Sequence, residues 1–260
     1  MLIDSHCHLT HKKYAKSVQD LVSGAVSEGV TKIIDIGTSI KENAHVIHNI
    51  VEFDEVYGAL AIYPHDDIGV EPGRLIESLR QQVVENKKII GIGECGIDIS
   101  SWEHGRAVEE QKFLFEEQLK LAVELNLPVV IHNRGGDEII LNLIKKYLSK
   151  DLTGVFHCFA SEWEFAKKVL DLGFHISFTG MITYPSNKRL LESVKKVPQD
   201  RFLIETDAPY LPPQDMRGSV NEPKNVKYVA MKIAEVRGES FENISELSYS
   251  NTCALFKGII

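Results

Sequence analysis

Short apolar runs alternate with segments of helical spacing along the whole chain. The runs are rich in Ile, Val and Phe, and most lack the polar alternation of a strand with one wet face. Such runs predict strands that are buried on both faces. The predicted strands are Leu2–His6, Lys32–Gly37, Val56–Tyr63, Ile89–Gly96, Pro128–Asn133, Gly154–Phe159, His175–Gly180 and Phe202–Asp207.

Between these runs, apolar residues recur at spacings of three and four, which predicts helices. The clearest helix is Val108–Leu125, and we expect it to end at Asn126 because Pro128 opens the next strand. Its predicted buried stripe consists of Phe113, Leu114, Leu121, Ala122 and Leu125. The other predicted helices are Ser17–Glu28 with Gly29 as its left-handed cap, Asp137–Leu148, Glu162–Leu172, Asn187–Lys196, Pro223–Val236 and Glu242–Phe256.

Strands that alternate with helices predict parallel pairing through crossover helices. The chain has 260 residues, so eight strand–helix units of about 32 residues each match a (β/α)₈ TIM barrel, an α/β fold. An open doubly wound sheet is the alternative, but no Gly-x-Gly-x-x-Gly motif follows the first run. No linker or repeat divides the sequence, which predicts a single domain over residues 1–260.

The composition is that of an ordinary globular protein with an acidic balance. The net charge is −8, from 29 basic and 37 acidic residues. A protein that coats nucleic acid needs a basic surface, so a DNA substrate would have to be bound locally, with help from metal ions. The four cysteines are scattered, which predicts reduced thiols and no disulfide framework. No apolar run reaches membrane-spanning length and the start is unlike a signal peptide, so we expect a cytoplasmic protein with no membrane contact. We also expect a monomer.

Histidines and carboxylates concentrate at the ends of the predicted strands. In a barrel these ends converge on one face, where active sites are built. The residues at or just beyond strand ends are His6, His8, His65, Glu94, His132, His157 and Asp207. The sequence therefore predicts one shared pocket, although these residues are far apart along the chain.

Each of these residues also has a purely structural interpretation. His6 and His8 point to the same side of a strand and form a chelating pair, or they are two half-buried histidines with ordinary hydrogen bonds. Glu94 lies between glycines, where a carboxylate needs a metal or a basic partner. A single histidine at a strand end is more often structural than a metal ligand. His132 and His157 are predicted ligands only because they lie on the same barrel face as His6 and Glu94.

The polar residues after the fifth and eighth strands extend the predicted pocket. The planar guanidinium of Arg134 is suited to gripping a phosphate, with a surface ion pair as the alternative. Asp207 ends the eighth strand before Pro209 and is expected to bind a metal and to orient or deprotonate a water molecule. Glu205 lies deeper on the same face and is expected to give structural support. Cysteines beside the predicted ligands should face the helices, namely Cys7, Cys95 and Cys158.

The order of motifs resembles the TatD family of metal-dependent deoxyribonucleases, which have amidohydrolase-like barrels. The resemblance covers essentially the whole chain. The matching runs are Asp4-Ser5-His6-Cys7-His8, Gly91–Asp98, Leu127–Arg134, Phe156–Phe159, Glu205–Leu211 and Arg217–Pro223. The sequence departs from the family pattern at Tyr63, where histidine is usual, at Asn133, where serine is common, and at Ile99, where an aromatic residue often stands.

The resemblance implies a binuclear metal site that hydrolyses phosphodiesters. His6, His8 and Asp207 would hold one metal ion, and His132 and His157 would hold the second, with Glu94 as the bridge. His65 and Arg134 would contact a substrate phosphate. The catalytic residues would then be Asp207 and Glu94, and the cofactors two divalent ions, Mg²⁺ or Mn²⁺ with Zn²⁺ as an alternative.

The substrate implied by the resemblance is DNA, and the acidic net charge favours single strands or frayed ends attacked exonucleolytically. One alternative is hydrolysis of another ester or amide, such as aminoacyl-tRNA, and Tyr63 keeps that alternative open. A second alternative is a non-enzymatic binding protein. That hypothesis predicts lost metal ligands, whereas all six are present in the sequence.

Overall fold

Strands and helices alternate through residues 1–259, the part of the chain that the computed structural model describes. The strands are β1 (Leu2–Cys7), β2 (Val30–Ile36), β3 (Val56–Leu60), β4 (Ile89–Asp98), β5 (Val129–Arg134), β6 (Gly154–Phe156), β7 (His175–Phe178) and β8 (Phe202–Ile204). The helices are α1 (Val18–Ser27), α2 (Ile40–Glu52), α3 (Pro72–Val84), α4 (Val108–Leu125), α5 (Asp137–Lys145), α6 (Trp163–Asp171), α7 (Leu190–Lys196), α8 (Val226–Arg237) and α9 (Phe241–Leu255).

Every strand pairs in parallel with the next one along the chain, in the order β1 to β8. The sheet comes round on itself where Cys7 bridges Ala208, and the backbone N–H of His8 donates to the Ala208 carbonyl over 2.8 Å. This arrangement confirms the predicted single-domain (β/α)₈ barrel. The doubly wound alternative is wrong, because an open sheet of that kind has two free edges and a reversal of strand order.

The third, sixth, seventh and eighth predicted strands extend past their observed carboxyl ends, because the chain leaves the hydrogen-bonded sheet before its apolar pattern ends. The third strand ends at Leu60 and the eighth at Ile204. Beyond those points the Tyr63 N–H donates to the Thr38 carbonyl over 2.7 Å, and the Asp207 N–H donates to the His6 carbonyl over 2.9 Å. These segments line the open end of the barrel as loops.

Two helices, α2 and α3, were not individually predicted. The buried face of α2 consists of Asn43, Val46, Asn49 and Ile50, so half of it is polar and its apolar stripe is weak.

In α4 the predicted bounds are confirmed, and Asn126 caps the helix in the left-handed conformation. The predicted burial of Phe113 is wrong, since 52% of its surface is exposed; Phe115 and Leu119 fill the inner face of α4 instead.

The apolar core forms two layers around the strands. Residues that point into the barrel pack against the last helix, where Phe256 and Leu255 close the end at which the strands begin. The larger outer layer lies between strands and helices, and it contains Cys7 and Cys95 as predicted. Because α9 covers one end of the barrel, side chains at the opposite end are the ones left to form a pocket. None of the helices in residues 1–259 is long and apolar enough to cross a bilayer.

Candidate metal centre

Six of the predicted site residues meet at the carboxyl ends of the strands. Their ligand atoms form two groups, and within each group these atoms lie within 4.8 Å of one another. The first ligand group is His6, His8 and Asp207, from β1 and the segment after β8. The second ligand group is Glu94, His132 and His157, from β4, β5 and the residue after β6.

Glu94 joins the two groups because its two carboxylate oxygens face different ways. Oε1 lies 2.7 Å from His132 Nδ1 and 2.9 Å from His157 Nε2. Oε2 lies 3.4 Å from His6 Nε2 and 3.7 Å from His8 Nε2. One oxygen therefore serves each ligand group, which is the arrangement a bridging carboxylate requires.

Asp207 follows β8 and completes the first ligand group where β8 meets β1. Its Oδ1 lies 3.7 Å from His6 Nε2 and 3.6 Å from His8 Nε2. The backbone of Asp207 has φ 53°, in the left-handed region that aspartate tolerates better than most residues. The bond from its N–H to the His6 carbonyl ties this conformation to β1.

The donor set fits divalent cations. The Nε2 atoms of His6 and His8 are 3.3 Å apart, and His132 Nδ1 is 3.3 Å from His157 Nε2. Two ring nitrogens so close repel each other through their lone pairs unless a proton or a cation lies between them. Imidazole and carboxylate ligands together suit Zn²⁺ and Mn²⁺, and no cysteine sulfur belongs to either group.

Glu94 is held in its ionised form although it is almost fully buried. Burial alone would raise the pKa of Glu94, but the charge of His157 and hydrogen bonds from His132, His157 and His6 outweigh it and hold this pKa well below its usual range. At neutral pH the carboxylate is thus available as an anionic ligand.

Three of the four ligand imidazoles have an acceptor behind them. His8 Nδ1 lies 3.1 Å from the Ile36 carbonyl oxygen, and His132 Nε2 lies 3.4 Å from Asp98 Oδ2. His157 Nδ1 lies 3.4 Å from Glu205 Oε1, an ion-pair distance without a hydrogen bond, so structural support by Glu205 stays a prediction. Such acceptors orient the ring and leave the other nitrogen free to bind a metal.

The position of Asp98 behind His132 was not predicted from the sequence. Asp98 follows Glu94 by four positions on β4, so the period of two places both carboxylates on the same side of the strand. This spacing along β4 was the sequence feature from which a place for Asp98 beside Glu94 could have been predicted. Asp98 accepts a hydrogen bond from the Tyr63 hydroxyl over 2.8 Å, and that hydroxyl also lies 3.2 Å from His132 Nε2. Burial is the main cause that raises the pKa of Tyr63, so its phenol is neutral and serves as a hydrogen-bonding group.

The two predicted phosphate contacts differ in their surroundings. Arg134 lies exposed at the end of β5, and within residues 1–259 it forms no ion pair. Its charge opposes the larger effect of burial, which raises the pKa of Tyr63, so Arg134 is near enough to act on the pocket. His65 has both ring nitrogens engaged: Nδ1 accepts from the Arg106 N–H over 3.1 Å, and Nε2 donates to the Asp98 carbonyl over 3.0 Å.

The comparison that decides the family covers nearly the whole chain. A family model described as "TatD related DNase" matches residues 3–257. The chain belongs to the TatD family. Its similarity to "Uncharacterized metal-dependent hydrolase YabD" of Bacillus subtilis is 35% identity over 99% of both chains.

Two further TatD relatives bear on activity and fold. "3'-5' ssDNA/RNA exonuclease TatD" of Shigella flexneri is 29% identical, over 98% of both chains. The crystal structure of YjjV, a TatD homologue from Escherichia coli K12, superposes with a TM-score of 0.91 and 29% identity, covering 98% of this chain and 97% of that one. This TatD protein is therefore a metal-dependent hydrolase acting on ester bonds, and its barrel carries the family's fold.

Proposed function

We propose that this TatD protein is a two-metal exonuclease that removes nucleotides from the ends of single-stranded DNA. The observation that carries the proposal is the geometry of Glu94, whose two oxygens each face a separate group of ligand atoms. A single metal ion would need only one of these groups.

The residues present fit two cations. His6, His8 and Asp207 would hold one ion, His132 and His157 the other, and Glu94 would bridge them. Mg²⁺ or Mn²⁺ is the proposed pair, with Zn²⁺ as the alternative that the imidazoles also accept. When bound, the two ions supply an acidified water molecule and neutralise charge on the phosphoryl oxygens.

The protein's own groups position the substrate and move its protons. Asp207 faces the first ligand group with Oδ1, so we assign its other carboxylate oxygen the task of orienting the attacking water and accepting its proton. Arg134 is the proposed phosphate contact because it is charged, exposed and at the end of β5, two residues after His132. A phosphate contact by His65 remains a prediction, and it requires that ring to give up one backbone hydrogen bond.

Two observations favour a strand end as the substrate. The net charge of −8 opposes binding to a long polyanion, so contacts must be confined to a short stretch. The Shigella relative is named for 3'-5' action on single-stranded DNA and RNA, and we propose the same polarity here. A cytoplasmic location and a monomeric state remain predictions.

The proposal is tested with metal-stripped protein and single-stranded DNA labelled at either end, with Mg²⁺, Mn²⁺ or Zn²⁺ added back. Stepwise shortening from the 3' end is expected with metal, and Glu94→Gln should abolish it. Glu192→Gln, on the surface of α7, is the matched control and should cleave normally. Metal-dependent hydrolysis of an aminoacyl-tRNA or another ester, without cleavage of DNA or RNA, would replace the nuclease with the other hydrolase activity.

A further inference from the structure

Trp102 is a large aromatic side chain at the mouth of the metal centre that neither the ligand set nor the core requires. It lies in the loop after β4 and 49% of its surface is exposed. Its indole N–H lies 3.2 Å from Asp98 Oδ2, the same oxygen that lies 3.4 Å from His132 Nε2. One carboxylate oxygen thus connects the indole to a proposed metal ligand.

The indole ring is held in place by the side chain beneath it. Trp102 stacks on His65 with ring centroids 4.8 Å apart and an interplanar angle of 26°. His65 cannot turn freely, because both of its nitrogens bond to backbone groups of Asp98 and Arg106. The Tyr63 ring lies 6.1 Å from the indole at an interplanar angle of 57°, so it is tilted and not stacked on it. With one stacked neighbour and 49% of its surface exposed, Trp102 keeps aromatic surface accessible to a ligand.

A glycine, Gly105, lies where the loop passes close to Trp102 and His65. A Cβ atom at Gly105 would lie 2.8 Å from Trp102 Cβ and 2.9 Å from His65 Nδ1. Only glycine therefore allows the loop backbone to pass this close to Trp102 Cβ and the His65 ring. An aromatic surface that is ordered before binding costs little conformational entropy when a ligand stacks on it.

We propose that Trp102 is a stacking platform for the base of a nucleotide whose phosphate lies in the metal centre. This inference rests on the proposed nuclease function and adds a nucleobase subsite to it. Arg134 and Asp98 are neighbours in the pairing of β5 with β4. The proposed phosphate contact Arg134 and the indole that bonds to Asp98 therefore lie at the ends of the same two strands. The net charge of −8 gives no general attraction for a polyanionic strand. Stacking of a base on the uncharged indole would supply binding affinity that does not depend on that charge.

The first test separates base stacking from a structural role of the indole. Two single-stranded substrates are compared, one with normal bases at the cleaved end and one with abasic residues there. Stacking of one base is worth about 1–3 kcal/mol, so Trp102→Ala should lower kcat/KM on the normal substrate by about 5-fold to 150-fold. The abasic substrate should be cleaved equally by both proteins.

Two further variants control this comparison. Trp102→Phe keeps an aromatic face but loses the N–H that points to Asp98, so it should retain most of the preference for normal bases. Trp163→Phe, on α6 beneath Lys196, is the matched control and should change neither substrate. Equal losses on both substrates in Trp102→Ala would overturn the platform and leave only support of Asp98.

A binding measurement does not depend on turnover. The chain has two tryptophans, so Trp163→Phe combined with Glu94→Gln leaves Trp102 as the only indole in a non-cleaving protein. Oligothymidylate added with Mn²⁺ should quench its fluorescence, and an abasic strand of equal length should not. Absence of quenching while the wild type still cleaves DNA would refute the platform alone. No cleavage of nucleic acid by the wild type would instead refute the proposed function and this inference with it.

Discussion

Asp98 Oδ2 lies 3.4 Å from Nε2 of His132, on the side of the imidazole opposite the Nδ1 atom that faces Glu94. The Tyr63 hydroxyl beside Nε2 already donates its hydrogen to Asp98. Both neighbours of Nε2 therefore offer acceptor oxygens, which favours the tautomer with its proton on Nε2. The lone pair of Nδ1 is then directed at the metal centre.

Replacing Asp98 with asparagine should weaken metal binding at the second ligand group. An amide that presents its N–H₂ to His132 favours the wrong tautomer, and loss of such a supporting carboxylate typically costs about 10-fold to 100-fold in metal affinity. Calorimetric titration of metal-stripped protein with Mn²⁺ measures this loss. Asp200→Asn is the control, since Asp200 is exposed and pairs with Arg201. Equal affinity in wild type and Asp98→Asn would show that Asp98 does not orient the ring.

Metal ions should stabilise the folded protein, because the two ligand groups exist only when the barrel is formed. At a concentration 100 times its Kd, an ion that binds only the folded state adds about 2.7 kcal/mol to the free energy of unfolding. Thermal unfolding with and without Mn²⁺ measures the gain. In Glu94→Ala both groups lose an oxygen, so the gain should shrink markedly. A full gain in that variant would contradict the bridging role of Glu94.

The barrel and the six proposed ligands could be predicted because both depend on position along the strands. A residue such as His132 or Asp207 comes at a strand end, and parallel topology then carries it to the common face. Strand alternation also placed Cys95 among the core residues under the helices. None of this needs knowledge of side-chain contacts.

The remaining features depend on contacts between elements that no spacing specifies. Tyr63 meets Asp98 only because the loop after β3 folds over the end of β4. Trp102 reaches the same carboxylate because Gly105 lets its loop turn back towards His65. Phe113 was misassigned for a related reason, since helical spacing gives a stripe but does not decide which of two adjacent faces packs inward.

Arg134→Ala should weaken DNA binding and reduce its dependence on salt. On single-stranded DNA, a phosphate neutralised by one arginine contributes about 0.7 to the slope of log K against log salt, so the slope should fall by about 0.7. Titration of labelled DNA into the non-cleaving Glu94→Gln protein at several salt concentrations measures this change. Arg189→Ala is the control, since the side chain is exposed on another part of the surface and pairs with Glu162. An unchanged slope for Arg134→Ala would remove Arg134 from the phosphate site.

His175 should make the fold sensitive to mild acid independently of the metal centre. It is the first residue of β7, at the end of the barrel away from the ligand groups, and its Nδ1 is buried without a hydrogen-bond partner. Burial, followed by the charge of Arg201, lowers the pKa of His175 to about 4 from its model-compound value of 6.5. Between these two pH values the unfolded chain binds a proton that the folded protein does not, so stability falls as pH decreases from 6.5 towards 4.

The size of this effect is bounded by the linkage relation. One proton contributes at most about 1.4 kcal/mol per pH unit, so His175 should account for roughly 2 kcal/mol of the stability lost between pH 6.5 and pH 5. Urea unfolding of metal-free protein at pH 7 and pH 5 measures the loss, and His175→Gln should reduce it by that amount. His104→Gln, at a side chain that is 91% exposed, should leave it unchanged. If the loss in His175→Gln equals that of the wild type, the carboxylates around the barrel, and not this imidazole, govern the acid response.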